Sequence, residues 1–373
     1  MDSNYITLKQ SDKYKTHIYP YRTKLDCKGS VVVLHGMAEH HERYEPFAKF
    51  LNDNGYDVFL YDHRGHGKDK KHEELGFFAE SNGYKKVIGD AIRVLRYAKQ
   101  ENRGEKIFLF GHSMGSMMAR CVIQYLDGID GVVICGTSYM KPLVIRGGII
   151  LSSIIKFFKG ARHISPYMNK LCVGGKAYTQ LSKRTAFDWL SRDNTVVGSY
   201  IGDPYCGYVC TVSFYKDLIK LCQQSGNPKM MARTRKDLPM LLIAGDHDPV
   251  GGCGKDVQRL FTAIQKMGFT KAECTLYEDC RHELLNELNR DEIMKDILDW
   301  FEAQDSGRGD ENSNRDEDLF PETDTKEQDE EEVLAQIRQT YDKIINPEET
   351  EGEKKLAELR AKKLAKKQQE ADK

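Results

Sequence analysis

The sequence predicts an α/β fold with a mostly parallel central sheet flanked by helices. Short apolar runs rich in β-branched residues recur along the chain, and most are followed by a glycine-bearing turn and then a helical pattern. Continuous apolar runs are typical of strands that are buried on both faces, as in parallel sheets. The predicted strands are residues 31–34, 58–61, 107–110, 132–135, 240–243 and 275–277. Alternation of strand, turn and helix is the pattern of an α/β sheet.

The clearest helix lies between the second and third runs, at residues 84–100. Val87, Ala91, Val94 and Leu95 fall on one side of it at helical spacing. An apolar stripe of this kind is typical of a helix that packs one face on a sheet.

The alternation stops after Tyr139 and resumes at Leu238. The interval is less regular, but apolar groups such as Ile149-Ile150-Leu151 and Trp189-Leu190 supply more apolar surface than a disordered linker carries. We expect a mostly helical cap over the carboxyl ends of the strands, where open α/β sheets bind ligands. The predicted domains are a core at 1–139 and 238–303, a cap at 140–237 and a tail at 304–373.

The tail differs sharply from the rest of the chain in composition. Residues 310–332 are mostly acidic, and residues 354–373 are rich in lysine. Blocks of opposite charge with few apolar residues predict a charged, largely disordered or weakly helical tail. An alternative is a short amphipathic helix that binds a partner, because apolar residues recur at three-and-four spacing at Leu334, Ile337, Tyr341 and Ile344.

Composition argues against several classes of protein. The formal net charge is −1, so no basic field favours nucleic acid as a partner. The ten cysteines are scattered and have neither metal-ligand spacing nor the spacing of a small disulfide framework. Such a distribution is typical of reduced thiols in a cytosolic protein. No apolar run follows Met1, so we expect no secretory signal. The most apolar stretch, residues 143–158, is too short to span a bilayer. We therefore expect a cytoplasmic location.

Gly111-His112-Ser113-Met114-Gly115 matches the pattern G-x-S-x-G between a predicted strand and a helical pattern. A strand that turns at once into a helix strains the serine, and a side chain at either glycine would clash there. The turn presents the Ser113 hydroxyl at the positive end of the new helix. Ser113 is therefore the predicted nucleophile, and the alternative is an ordinary helix-capping serine.

A serine nucleophile needs a base and an orienting acid, which in this arrangement follow it in the order acid, histidine. Asp248 follows the strand at 240–243, and His282 follows the strand at 275–277. We favour Asp248 over Asp246, which we expect to shape the turn. His247 is a weaker candidate for the base because two acids flank it.

Acyl transfer also needs two backbone donors for the developing oxyanion. The amide of Met114 follows the nucleophile, and Gly36 lets the loop after the first strand bring the Met37 amide close. Histidines near these loops could suggest a metal cluster, but we expect them to be hydrogen-bonded scaffolding and predict no metal. These histidines are His35, His40, His41, His63 and His66.

Three blocks in this order resemble the monoacylglycerol lipase and lysophospholipase family of α/β-hydrolases, a group that includes enzymes described as serine aminopeptidases. The blocks are His35-Gly36-Met37-Ala38-Glu39-His40 followed by Arg43-Tyr44, then Asp62-His63-Arg64-Gly65-His66-Gly67, then the serine motif. The resemblance covers residues 6–301. It implies an α/β-hydrolase fold with a helical cap, and it gives Ser113, Asp248, His282, Met37 and Met114 the same roles.

The sequence departs from the family pattern in three places. The family often has glycine where this chain has Ala38, a mild change if Ala38 keeps an ordinary backbone conformation. The cap matches no lipase cap residue that we can place, and the tail after Phe301 has no counterpart.

The predicted function is hydrolysis of carboxylic esters through an acyl-enzyme, without a metal or organic cofactor. Activity should rise with pH through an apparent pKa of about 6.5–7 as His282 loses its proton. The predicted substrate is a monoacylglycerol or lysophospholipid, because apolar residues 149–158 predict an acyl pocket or a membrane-facing surface, although a plain packed helix fits equally. The alternatives are a small-ester carboxylesterase, a peptidase or amidase, and a non-catalytic scaffold whose tail recruits a partner.

Overall fold

The computed structural model describes residues 5–304 except Ser182, and the predicted tail lies outside this range apart from Gln304. One sheet of eight strands runs through the described chain in the order β1-β2-β4-β3-β5-β6-β7-β8. The strands are β1 (Ile6–Lys9), β2 (Lys15–Tyr21), β3 (Gly29–Leu34), β4 (Tyr56–Tyr61), β5 (Lys106–His112), β6 (Gly131–Cys135), β7 (Met240–Gly245) and β8 (Ala272–Tyr277).

The six predicted strands are confirmed as β3 to β8, and they pair in parallel. Every residue of β3, β4, β6 and β7 is buried, as the unbroken apolar runs require. The sequence analysis did not predict β1 and β2, which pair antiparallel at one edge of the sheet. Their side chains alternate between exposed and more buried positions, so neither strand carries a continuous apolar run.

Helices cover both faces of the sheet and fill the interval between β6 and β7. They are α1 (Glu45–Asn52), α2 (Gly83–Gln100), α3 (Met114–Val122), α4 (Pro142–Lys159), α5 (Pro166–Val173), α6 (Lys176–Leu181), α7 (Asn194–Gly202), α8 (Val212–Ser225), α9 (Pro228–Met231), α10 (Lys255–Lys266) and α11 (Arg290–Ala303). The helix expected at 84–100 is α2. Helices α4 to α9 follow β6, where the sequence predicts a cap.

Alternate residues of one strand face two different hydrophobic cores. Val32 and Leu34 of β3 pack in the core that contains α2, α3, α8 and α10. Val31 and Val33 pack in the core on the opposite face, with α1 and α11. This two-sided burial explains why β3 is apolar without alternation, and it fixes the carboxyl end of the strand between two helical layers. Within the described part of the chain, no helix combines the length and the apolar character needed to cross a membrane.

Candidate active site

Ser113 lies in the sharp turn between β5 and α3. Its backbone φ is 54° and ψ is −118°, a conformation that residues with a side chain rarely adopt. A Cβ at Gly111 would collide with the Gly115 carbonyl, and a Cβ at Gly115 would collide with the carbonyl of Leu34. The turn therefore tolerates only glycine on both sides of the serine, as the motif predicts.

Asp248 and His282 lie together at the carboxyl ends of β7 and β8. His282 Nδ1 is 3.0 Å from Asp248 Oδ2, and neither atom has another hydrogen-bond partner among the described residues. The second oxygen of Asp248 accepts a hydrogen bond from the Val250 amide at 2.9 Å. Both side chains are almost fully buried. A carboxyl group in this position can orient an imidazole ring and stabilise its protonated form.

The pKa of His282 results from opposing effects. Burial lowers the pKa, but the charge of Asp248, the hydrogen bond between the two groups and the nearby charges of Glu283 and Glu39 outweigh burial. The pKa of His282 is therefore raised above its ordinary value. The histidine accepts a proton more readily than a free imidazole does, which suits a general base.

Met37 and Met114 line the same cavity as Ser113 and His282. Met114 is the first residue of α3, so its amide has no acceptor within the helix. Neither amide donates a hydrogen bond to any described residue. Neither amide therefore has an acceptor among the described residues, as an oxyanion donor requires.

The buried carboxylate of Glu39 holds the loop that carries Met37, and the sequence analysis did not single out this residue. Glu39 Oε1 accepts hydrogen bonds from the Gly36 amide at 2.5 Å and from the Tyr44 hydroxyl at 2.8 Å. Glu39 Oε2 accepts one from Arg43 at 2.6 Å. These bonds hold the loop on either side of Met37.

Arg43 joins this loop to the loop that carries His282. Its guanidinium forms two parallel hydrogen bonds with Glu283, the residue after His282, at 2.7 and 2.6 Å. Burial raises the pKa of Glu283, but the charge and the hydrogen bonds of Arg43 outweigh it, so the pKa is lowered and Glu283 is ionised. Arg43 is part of the first sequence block, so the sequence pointed to this residue. Its pairing with Glu283 is known only from the structure.

The backbone of Ala38 corrects one expectation from the sequence. Ala38 has a φ of 53°, in the left-handed region that favours glycine, so it does not keep an ordinary conformation. The Ala38 carbonyl accepts hydrogen bonds from the Gly207 amide at 2.9 Å and from the Tyr200 hydroxyl at 3.1 Å. The Ala38 amide donates to His66 Nε2 at 3.1 Å. These three contacts hold the strained residue in place.

Four of the five histidines for which we considered a metal form hydrogen bonds within the loops at the strand ends, and His40 is bonded elsewhere. His35 Nδ1 lies 2.8 Å from the Gly36 carbonyl, and His41 Nδ1 lies 2.7 Å from Asp62. Burial lowers the pKa of His63 to about 3 and that of His66 to about 4, so both are neutral.

One of these histidines does lie beside other metal-ligand types. His40 Nε2 is 2.9 Å from Asp203, and Cys206 is close to both, which makes this the one such trio in the described chain. The Lys68 ammonium lies 3.7 Å from the same Asp203 oxygen. A cation already near the carboxylate disfavours a metal there, and the trio holds a core loop against the segment after α7.

The less favoured acid and base lie outside this arrangement. His247 is exposed and Asp246 is partly exposed, and they pair with each other at 2.7 Å between Nδ1 and Oδ1. The structure therefore brings Asp248 and His282 together, and it leaves Asp246 and His247 paired with each other at the surface.

A cavity of about 510 Å³ lies between the strand ends and the cap. Ser113, His282, Met37 and Met114 are among the residues that line it. Its other walls are mostly apolar and come from α3 and the cap, including Met117, Val144, Leu151, Met168, Leu171, Trp189, Leu218 and Ile219. A volume of this size is typical of small-molecule sites.

The chain is similar in sequence to proteins of several other organisms. It is 23% identical over 305 residues to an uncharacterised abhydrolase domain-containing protein of Dictyostelium discoideum, a match that covers 82% of this chain and 29% of that protein. It is 25% identical over 309 residues to a monoglyceride lipase homolog of monkeypox virus, covering 81% of this chain and 95% of that protein. The chain thus spans less than a third of the first relative and nearly all of the second.

The fold is also found among solved structures. A thermostable carboxyl esterase from Bacillus coagulans in complex with glycerol superimposes with a TM-score of 0.72 at 24% identity, covering 80% of this chain and 97% of the esterase. At this identity the likeness shows the fold alone. Residues 26–289 match the family model described as serine aminopeptidase, S33, and because this match covers more than half of the chain, the protein is an α/β-hydrolase of that family.

Proposed function

We propose that the protein is a serine hydrolase that cleaves carboxylic esters with an acyl chain, such as a monoacylglycerol or a lysophospholipid. The observation that carries the proposal is the position of Ser113: a strained serine and the paired His282 line the same apolar cavity. The names of relatives such as the monoglyceride lipase homolog support the same substrate class.

The proposed reaction passes through an acyl-enzyme. His282 takes the proton of the Ser113 hydroxyl as the oxygen attacks the ester carbonyl, and Asp248 stabilises the resulting imidazolium. The amides of Met37 and Met114 donate hydrogen bonds to the oxyanion. His282 then protonates the leaving alcohol, and a water molecule repeats the sequence on the acyl-enzyme. No step requires a metal or a cofactor, so we predict that EDTA leaves the activity unchanged.

The charges around the cavity favour an ester over an aminopeptidase substrate. An amino-terminal ammonium group needs an unpaired carboxylate, and the carboxylates that line the cavity are Glu39, Asp256 and Glu283. Arg43 binds both Glu39 and Glu283, and Arg259 contacts Asp256 at 2.7 Å. A buried cation without a free partner would be costly, whereas an acyl chain matches the apolar walls.

Hydrolysis of p-nitrophenyl esters from acetate to palmitate by wild type and Ser113→Ala tests the proposal. We expect wild type to prefer the longer chains and the variant to lose activity by at least about 10³-fold, since removing a nucleophile typically costs 10⁴–10⁶-fold. Binding of a fluorescent acyl-chain probe by both proteins controls for folding of the variant.

Other results of this experiment would contradict the mechanism or indicate a different function. Equal turnover by Ser113→Ala and wild type would refute the mechanism. A preference for acetate or butyrate would indicate a small-ester carboxylesterase, and turnover of aminoacyl arylamides but not esters would indicate a peptidase. A protein that turns over none of these substrates would fit a scaffold. The cytoplasmic location and the domain boundaries at 139, 238 and 303 stay predictions.

A further inference from the structure

One aromatic residue between β6 and β7 lies directly against the proposed base. The indole ring of Trp189 and the imidazole ring of His282 have their centroids 5.2 Å apart and are inclined by 39°, nearer to stacked than to edge-on. Both residues are buried. The ring of Tyr178 meets the indole edge-on, at 5.1 Å and 80°. A cation within about 6 Å of an indole ring is attracted by its electron-rich face, most strongly where water is excluded. The contact therefore favours a proton on His282.

The backbone around Trp189 is fastened to the loop that carries His282. The His282 amide donates a hydrogen bond to the Trp189 carbonyl at 3.4 Å. The Arg281 guanidinium donates hydrogen bonds to the carbonyls of Asp188 and Ser191, the second at 3.0 Å. All three acceptors are backbone carbonyls of the segment that carries Trp189. A change of the Trp189 side chain therefore leaves these hydrogen bonds in place.

We propose that the indole of Trp189 stabilises the protonated form of His282 and so assists attack by Ser113. This role rests on the proposed function, in which His282 takes the proton of the Ser113 hydroxyl. The indole attracts the imidazolium more than the neutral imidazole, so its effect is larger in the transition state than in the resting enzyme. Only a difference of this kind accelerates a chemical step. Trp189 acts through His282, so it is a positioning residue.

Several charged and titratable groups of the core also lie near His282. They are Asp248, Glu39, Glu283, Arg43 and His112. Burial and the charge of His282 keep the pKa of His112 well below its usual value, so the His112 ring is neutral. Trp189 carries no charge, so a substitution there leaves each of these groups unchanged. A shifted pKa of His282 in a Trp189 variant then reports the loss of the indole.

Two roles of the indole predict opposite shifts in the pKa of His282. If the indole stabilises the imidazolium, its loss lowers the pKa. If the indole only excludes water, its loss relieves the burial of His282. Burial lowers the pKa of this histidine, so relief of burial would raise the pKa. The sign of the shift therefore separates the proposed role from simple packing.

A graded series of substitutions in the full chain tests the proposal. Trp189→Phe keeps a smaller aromatic ring, and Trp189→Leu keeps apolar volume without one. The pKa of His282 is measured by NMR titration of isotope-labelled histidine, in the Ser113→Ala background so that no turnover is needed. The resonance is assigned by its loss in His282→Gln. We expect Trp189→Leu to lower the pKa by about 0.5–1 unit, and Trp189→Phe to lower it by less.

Ester hydrolysis by the same variants with Ser113 intact gives a second readout. In Trp189→Leu the rise of kcat/KM should move to lower pH by the same amount. The kcat above that rise should fall by about threefold to tenfold, which is the same free energy. Tyr205→Leu is the matched control, because the Tyr205 ring stacks on His72 at 5.1 Å and does not line the cavity. It should leave the pKa of His282 and the kcat at their wild-type values.

The two readouts let each proposal fail separately. If wild type hydrolyses no ester, the proposed function is wrong, and the NMR titration still measures the effect of Trp189 on His282. An unchanged or raised pKa in Trp189→Leu would refute the role of the indole, as would equal shifts in the two variants. A lowered pKa with wild-type kcat would refute the assistance to catalysis. If urea unfolding shows that Trp189→Leu does not fold, Trp189→Phe decides the question by the sign of its shift.

Discussion

At the scale of single residues, the candidate site depends on charges that are buried in pairs. His282 is flanked by Asp248, which contacts its ring, and by Glu283, which follows it in the sequence. Both carboxylates raise the pKa of His282 against the effect of burial. Arg43 holds Glu283 in its ionised form. The proton affinity of the proposed base is therefore set partly by an arginine from the other side of the site.

These charges predict the pH dependence of activity. The base must be neutral, so kcat/KM should rise with pH as His282 loses its proton, through a pKa above the ordinary histidine value. Glu283→Gln removes one negative charge of nearly the same shape, which lowers the pKa of His282 and moves the rise to lower pH. Profiles of kcat/KM from pH 4.5 to 9 check both statements. A profile that is flat over this range, or an unshifted rise in the variant, would contradict this role of His282 and its neighbour.

At the scale of elements, the turn between β5 and α3 shows how closely backbones approach at the site. Gly115 faces the carbonyl of Leu34 at the end of β3, so the first turn of α3 rests against the neighbouring strand. This contact places Ser113 above the carboxyl end of the sheet. Individual side chains supply the reactive groups, but the contacts between strands and helices determine the distances between those groups.

Two glycine substitutions test this packing. Gly115→Ala should lower the free energy of unfolding by about 3 kcal/mol, because the new methyl group meets backbone that cannot move freely. Gly89→Ala is the matched control: Gly89 lies inside α2 with open space around it, so alanine should raise stability by about 0.5–1 kcal/mol. Urea unfolding of both variants gives the comparison. If Gly115→Ala left the free energy of unfolding unchanged, the close packing of α3 against β3 would be contradicted.

At the scale of the whole molecule, a segment of the cap region packs against the loop that carries His282. The Glu283 amide donates a hydrogen bond to the Leu190 carbonyl at 2.8 Å. Glu287, which is fully buried, accepts hydrogen bonds from Arg192 Nε at 2.8 Å and from the Arg281 amide at 2.7 Å. The cap segment is therefore part of the support of the proposed base as well as a wall of the cavity.

Loss of this support should reduce stability and catalysis together. Glu287→Gln removes a buried charge and leaves Arg192 without its ionic partner, which should cost about 3 kcal/mol of unfolding free energy. The kcat should fall because the loop that carries His282 loses a fixed contact. Glu278→Gln, at an exposed acid of the same region, is the control and should change neither. The test is to measure the free energy of unfolding and the kcat of ester hydrolysis for both variants. If Glu287→Gln matches Glu278→Gln in both quantities, Glu287 does not support the loop that carries His282.

The sequence by itself determined the features that arise from neighbouring residues. Apolar runs predicted β3 to β7 because strands buried on both faces are apolar throughout, whereas the half-exposed β1 and β2 carried no such signal. The edge strand β8 is also half-exposed, and only its last three residues, 275–277, were predicted. The glycines beside Ser113 predicted the turn because only glycine fits there. Only the tertiary structure decided which charges meet. Arg43 and Glu283 are 240 positions apart, and their pairing depends on how two loops meet at the carboxyl ends of the strands. The same holds for Ala38, whose left-handed conformation depends on hydrogen bonds from distant residues that no local pattern reveals.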